Sequence, residues 1–332
     1  MQQLETSNRA RLGPSLTILT PTFNRLPFLQ ECLRSITAEL NGGMVEAIVV
    51  DDASNDGTWH WLQNNKWKST VQVRTARLDE NRGPGAARNV GLGLAEGSHF
   101  CPIDSDMVLI PGAGRALQNA IANNPDVPLL FFPCIEYPAM RRMDLLNGDR
   151  TVSGDDLLYE RVLGELVPVG NLNYFRGRDL RYPEFRSGGE GILWIRALAD
   201  RPAVFVDEPL VYYRTDVPGR LCTARHQLTK SAELAEIADA MLELFSVPLP
   251  PEARKAQARR MMASGTYHLL AGHSKLARKR LREAVSLGNV TALAVMAVSL
   301  FGLGTCRAAF RAFRPEPGVR GTVSRTRKVT EC

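Results

Sequence analysis

Between Leu16 and Ile103 the chain alternates short apolar runs with segments whose apolar residues recur at helical spacing, and few folds accommodate that alternation. Leu16-Thr17-Ile18-Leu19-Thr20 stops at Pro21, and Val45 to Val50 stops at Asp51-Asp52-Ala53-Ser54. Val71 to Arg77 and His99 to Ile103 are two further strand-like runs. Between them, Leu26 to Leu40 carries Leu29, Cys32, Leu33, Ile36 and Leu40 on one helical face and ends at Asn41-Gly42-Gly43. Thr58 to Asn65 and Gly85 to Ala95 read as the next two helices. Strands alternating with helices predict an α/β domain, a Rossmann-like, mostly parallel sheet flanked by helices. Such sheets bind ligands at the carboxyl ends of their strands, where this chain places Pro21-Thr22, Asp51-Asp52 and Asp104-Ser105-Asp106.

The remainder is read more coarsely. Pro111 to Asn123 predicts a helix and Pro128 to Pro133 a strand. Residues 137–189 are irregular, with loop signals at Asn147-Gly148, Gly170-Asn171 and Gly188-Gly189. Ile192 to Ala199 is helical, and Ala203 to Val206 and Leu210 to Tyr213 are strand-like. After Cys222 the texture becomes helical throughout: Thr229–Phe245, Ala253–Ala271, Lys275–Ser286 and an apolar Val290–Leu303 running into Arg307, Arg311 and Arg314. The expected organisation is a polar segment over 1–13, an α/β domain over 14–225, a basic helical domain over 226–314 and a disordered end over 315–332.

Net charge is +6, but from His226 onward 17 Lys and Arg face 8 Asp and Glu, a balance of +9 that leaves −3 on residues 1–225. An acidic front suits a bound cation. A basic tail suits an anionic membrane surface or another polyanion, although no nucleic-acid motif accompanies it and nucleic acid is not an expected partner. Ordinary packing on the α/β domain, or a homodimer face, are the alternatives for the tail. No segment is apolar enough to span a membrane, and Met1 to Pro14 lacks a signal peptide's apolar middle. The expectation is a cytoplasmic protein, peripheral on the inner face of the membrane if the tail binds lipid. The six cysteines lack metal or redox spacing and read as small buried residues.

Two carboxylates at Asp104 and Asp106, directly after a buried strand, repel each other unless a hard cation lies between them. Mn²⁺ or Mg²⁺ on a nucleoside diphosphate meets that need, because the metal neutralises a departing phosphate. On its own a D-x-D is more often a surface turn than a metal site, and its position directly after the fourth strand is what favours the metal. Asp51 and Asp52 are placed to accept from a ribose hydroxyl or a base N–H, while Asp56 is placed to cap the next helix. In Asn81-Arg82-Gly83-Pro84-Gly85-Ala86-Ala87-Arg88 the glycines permit close backbone approach, and the helix start with Arg82 or Arg88 can meet phosphate.

The four blocks LTILTPTFNR, VVDDASNDGT, ENRGPGAARNVGL and DSD, in this order and spacing, resemble the inverting family-2 glycosyltransferases with a GT-A fold. The resemblance covers about residues 14–110. It implies a nucleotide-sugar donor, with UDP the expected carrier, and a glycan or lipid-linked acceptor in polysaccharide or glycolipid assembly. It implies nucleotide contacts from Thr20, Pro21, Thr22, Asn24, Asp51, Asp52, Arg82, Arg88 and Asp104, and metal ligation by Asp106 assisted by Asp104.

Two departures from the family's pattern stand out. Its general base is the Asp of a Glu-Asp pair before a Trp-x-Arg helix, and here Ser187-Gly188-Gly189-Glu190-Gly191-Ile192-Leu193-Trp194-Ile195-Arg196 puts Glu190 at that position and Gly189 at its acidic neighbour's. Glu190 is then the expected base, one methylene longer, with an ordinary first-turn acid as its bland alternative. Trp194 is expected to line an acceptor pocket. Where the family often shows Tyr-Arg-x-His, Tyr213-Arg214-Thr215-Asp216 offers Asp216 as a metal ligand or as an exposed turn before Pro218-Gly219. The histidines lack metal spacing and read as structural or exposed, and Trp59, Trp61 and Trp67 as packing residues. A nucleotidyltransferase would need a Gly-rich phosphate loop after the first strand, and a dehydrogenase a G-x-G-x-x-G there; neither is present. A degenerate scaffold with the same fold remains the non-enzymatic rival.

Overall fold

The structure, a computed structural model, describes residues 15–41, 44–65, 71–144, 146–162, 164–217, 223–246 and 248–313. The polar segment 1–13, Trp67, Pro218-Gly219, Cys222, Arg314 and the end over 315–332 lie outside the described residues.

The front half follows the predicted alternation: β1 (Leu16–Thr22), α1 (Leu26–Glu39), β2 (Val45–Asp51), α2 (Thr58–Asn64), β3 (Gln72–Arg77), α3 (Pro84–Leu94) and β4 (His99–Pro102). Next come β5 (Met107–Leu109), α4 (Ala113–Asn123), β6 (Leu129–Tyr137), β7 (Arg141–Arg142), β8 (Arg150–Val152), α5 (Gly154–Leu158) and β9 (Leu166–Asn171). The α/β part closes with α6 (Leu172–Gly177), α7 (Glu190–Ala197), β10 (Ala203–Phe205) and β11 (Val211–Arg214).

The sheet runs β3-β2-β1-β4-β9-β6-β10-β8, with β11 joining β5 to β6 and β7 beside β6. β3, β2, β1 and β4 are mutually parallel, whereas β9 is antiparallel to both β4 and β6. Two apolar layers cover its faces. Ile18, Leu29, Leu33, Ile36, Val49 and Ile103 pack in one, and Leu19, Ile48, Val50, Phe100, Phe175 and Leu193 in the other. The side-chain alternation of β1, Ile18 to one face and Leu19 to the other, feeds both layers.

β9 corrects the reading of 137–189 as irregular. Gly170 is a strand residue, paired with Phe100 and Leu129, and a Cβ there would sit 2.3 Å from the Phe100 ring. The glycine makes room for a phenylalanine on the adjacent strand, itself held edge-on to Phe175 at 4.9 Å between centroids. Trp59 and Trp61 pack against the core, as read from sequence. Cys32, Cys101, Cys134 and Cys306 are buried free thiols.

The C-terminal helices are α8 (Ala224–Thr229), α9 (Ser231–Leu242), α10 (Arg254–Leu270), α11 (Ser274–Ser286), α12 (Thr291–Ser299) and α13 (Leu303–Phe313). The apolar segment expected as one helix over 290–303 is thus two, because Gly302 adopts φ +89° between them. Buried His268 joins α10 to α9 through Asp239, with Nε2 2.8 Å from the carboxylate.

Candidate active site

Asp104 and Asp106 sit in the turn between β4 and β5, at the sheet's carboxyl edge. The turn is held by its own backbone: Met107 N donates to Asp104 O at 2.9 Å, and the Cys32 thiol reaches the same oxygen at 3.5 Å. Both carboxylates are met by arginines. Arg88 Nη2 donates to Asp104 Oδ1 at 2.5 Å, and Arg25 Nη1 pairs with Asp106 Oδ2.

Arg25 is delivered by the turn after β1. Asn24 there takes the left-handed conformation, φ +50°; its amide donates to Ser54 Oγ at 2.9 Å, and its side-chain oxygen accepts from Asn55 N at 2.8 Å. The two loops are thereby locked together, and Arg25 becomes the N-cap residue of α1 facing Asp106. The side-chain oxygen of Asn24, expected at the nucleotide, is committed to this lock. Arg25 belongs to the LTILTPTFNR block but had no role assigned; its charge ahead of the helix was the available signal.

Arg88 is the hub. Its buried guanidinium also approaches Glu190 Oε1, 3.7 Å from Nη1, and lies over the Tyr182 ring at 5.3 Å. Tyr182 is fixed by Asn89, whose amide group donates to Tyr182 O and accepts from Tyr182 N, both at 2.9 Å. Burial alone would lower the Arg88 pKa, but the carboxylates of Asp104 and Glu190 outweigh it and raise it. Burial raises the pKa of Asp106; Arg25 opposes the shift and the neighbouring Asp104 charge adds to it.

Several expected contacts are placed differently. Both oxygens of Asp52 accept backbone N–H groups, from Arg82 and Gly83, each at 2.8 Å, so its carboxylate anchors the turn before α3. Burial nevertheless raises its pKa against those two bonds. Asp51 accepts from Ser54 N at 3.2 Å and lies 3.4 Å from Arg77 Nε. Thr20, Pro21 and Thr22 are buried in β1, leaving little side-chain surface for a nucleoside. The close approach that Gly83 and Gly85 permit is made by the chain itself. Added Cβ atoms would meet Arg186 Cα at 2.6 Å and Pro183 O at 2.3 Å, so the 183–186 segment covers the start of α3. Arg82 pairs with Glu184 of that segment.

Trp194 is a correction. It is 9% exposed and sits in the core, edge-on to Tyr182 at 5.4 Å, and so supports the ring beneath Arg88 rather than lining a pocket. Asp216, expected as a metal ligand or as an exposed turn, has its carboxylate held by Arg214 from two nitrogens at 3.1 and 3.0 Å. The acid missing beside Glu190 has a steric reason: Gly189 has φ +96°, and a Cβ there would lie 2.9 Å from the Phe185 ring.

Among the described residues no group of three or more His, Cys, Asp or Glu is arranged to hold a metal. Asp104 and Asp106 supply two carboxylates, the hard donor set with which Mg²⁺-type ions bind when substrate phosphates and waters complete the shell. The residues present therefore fit a cation that arrives with a diphosphate.

A mostly parallel sheet presenting an Asp-x-Asp turn at its carboxyl edge is the GT-A class of α/β domain. Residues 17–154 match Glycosyl transferase family 2. Glu190 lies beyond the matched stretch. The succinoglycan biosynthesis protein ExoO of Rhizobium meliloti is 29% identical over 199 residues, 56% of each chain. A GalNAc(5)-diNAcBac-PP-undecaprenol β-1,3-glucosyltransferase of Campylobacter jejuni is 27% identical over 208 residues, 60% of this chain and 65% of its own. The chain thus spans less than two thirds of these relatives. In structure, residues 1–349 of TarS from S. aureus superpose with a TM-score of 0.60 at 15% identity, covering 92% of this chain and 93% of that one. The mannosyltransferase PcManGT of Pyrobaculum calidifontis, solved with GDP-Man and Mn²⁺, gives 0.53 at 20%, covering 92% and 84%. At those identities the likeness is one of fold.

Proposed function

We propose that the chain transfers a sugar from a nucleotide-sugar, a UDP-sugar in the first instance, to a hydroxyl of a glycan or lipid-linked acceptor, with inversion. The work belongs to polysaccharide or glycolipid assembly beside a membrane surface. Residues 14–225 form the catalytic domain and 226–314 a helical domain. One observation carries the reading: the buried Arg88 guanidinium touches Asp104, at the expected diphosphate end, and approaches Glu190, at the expected base. Proteins of the same fold solved with UDP-GlcNAc, and with GDP-Man and Mn²⁺, support the donor class.

In this reading Glu190 takes the acceptor hydroxyl proton as that oxygen attacks the anomeric carbon, and the bond from that carbon to the diphosphate breaks. Asp104 and Asp106 would hold Mn²⁺ or Mg²⁺, which supplies positive charge to the leaving diphosphate when bound. Arg88 fixes the distance between the two ends, and Arg25 adds a second cation beside Asp106.

The test is release of nucleoside diphosphate from UDP-, GDP- and dTDP-sugars, comparing wild type with Glu190→Gln. The variant should lose about 10²-fold or more in turnover while keeping nucleotide-dependent stabilisation. Equal turnover in the variant would remove Glu190 as base. Nucleotide binding without turnover in the wild type would favour the scaffold.

A further inference from the structure

From Ala284 to Cys306 the chain carries no charged residue, and the structure leaves much of that stretch uncovered. Ala292 faces inward against Leu281 and Ala284, while Val290, Leu293, Leu300 and Phe301 are 73, 51, 78 and 76% exposed. With the exposed Ala294 and Ala297, these residues recur at three- and four-residue intervals and so form one stripe along α12. The turn at Gly302 carries the stripe on to Leu303 at the start of α13. Nowhere else among the described residues do exposed large apolar side chains cluster so densely in sequence, and a continuous patch of this kind marks an interaction surface.

The surroundings are basic. α11 exposes Lys275, Arg278, Lys279 and Arg282 at helical spacing, and α13 exposes Arg307 and Arg311. No acidic residue lies between Glu283 and Arg314. Arg307 is partly spent on the carbonyl of Leu270, at 3.1 Å, and Lys279 lies 4.0 Å from Glu283; the other four have no such commitment among the described residues. No described helix is long and apolar enough to cross a membrane.

We infer that the α12–α13 hairpin docks the protein on an anionic lipid surface, its apolar stripe entering the interface and its flanking cations facing the headgroups. Charge selects this occupant over a second copy, because a two-fold dimer through the stripe would bring two basic rims together. An anionic bilayer gains from those same charges, which attract its headgroups. An apolar face flanked by Lys and Arg lies in a membrane interface rather than spanning it. The inference rests on this surface alone and is independent of the donor-site reading.

The experiment is co-sedimentation of the full chain with vesicles of phosphatidylcholine containing phosphatidylglycerol, or of phosphatidylcholine alone, at low and high salt. Wild type should bind the anionic vesicles, more weakly at high salt, and bind neutral vesicles poorly. Leu300→Ser with Phe301→Ser should reduce binding about tenfold or more, with an unchanged unfolding temperature because both side chains already face solvent. Lys275→Glu with Lys279→Glu should abolish the preference for anionic vesicles. Absence of wild-type binding, or equal binding by the Ser variant, would overturn the inference. So would a wild-type dimer in solution that the Ser variant converts to monomer without any vesicle binding, since a second copy would then own the stripe.

Discussion

The guanidinium of Arg25 meets the carboxylate of Asp106, closing an ion pair between the N-cap of α1 and the turn after β4. A divalent cation binding alone must compete with that guanidinium for the same oxygen. Once a diphosphate is present, a displaced arginine gains a partner of its own. Arg25→Gln should therefore bind Mn²⁺ alone about three- to tenfold more tightly, yet bind nucleoside diphosphate with Mn²⁺ about tenfold more weakly. Calorimetric titration reads both affinities. Weaker binding of Mn²⁺ alone in the variant would refute the competition.

Arg88→Lys keeps one charge but loses the planar fork that reaches Asp104 while facing Glu190. Turnover should fall about 10- to 100-fold, with an unfolding temperature lower by only a few degrees. Unchanged turnover would show that the bridge plays no part in the reaction.

Acid sensitivity has a buried source at His99. Burial lowers its pKa below the ordinary 6.5; its Nδ1 lies 3.0 Å from Ser98 Oγ, and its buried Nε2 has no hydrogen-bond partner among the described residues. As pH falls through 6.5 the unfolded chain takes up a proton that the folded chain resists, so the neutral-pH stability contribution is lost on acidification. Denaturant unfolding above and below that pH should show a smaller loss for His99→Leu than for wild type. Identical losses would place the acid sensitivity elsewhere.

What sequence could and could not reveal follows from the range of each interaction. Asp104 and Asp106 were legible because an apolar strand ends directly before them. The same logic placed Asp51 and Asp52, but not the use of Asp52, since its partners Arg82 and Gly83 arrive from the next strand–helix connection. β9 was hidden because Gly170 and Asn171 carry turn chemistry, and only Phe100 on a neighbouring strand explains the glycine. Trp194 was drawn to the site by its nearness to Glu190. One helical turn further into α7, however, the chain has entered the core. For Gly83 and Gly85 the need for close approach could be read, while the segment that approaches lies about a hundred residues away.

The donor site proposed above is a diphosphate site completed by a divalent cation at Asp104 and Asp106. It is tested most directly by thermal unfolding with UDP, GDP, dTDP and CDP, each with Mn²⁺ and then with EDTA, on wild type and Asp106→Asn. One nucleotide should raise the wild-type unfolding temperature by several degrees when Mn²⁺ is present, corresponding to about 2.7 kcal/mol at a hundredfold excess over Kd. The rise should vanish in EDTA and in the variant. No shift with any nucleotide, or an equal shift in EDTA and in Asp106→Asn, would contradict the claim.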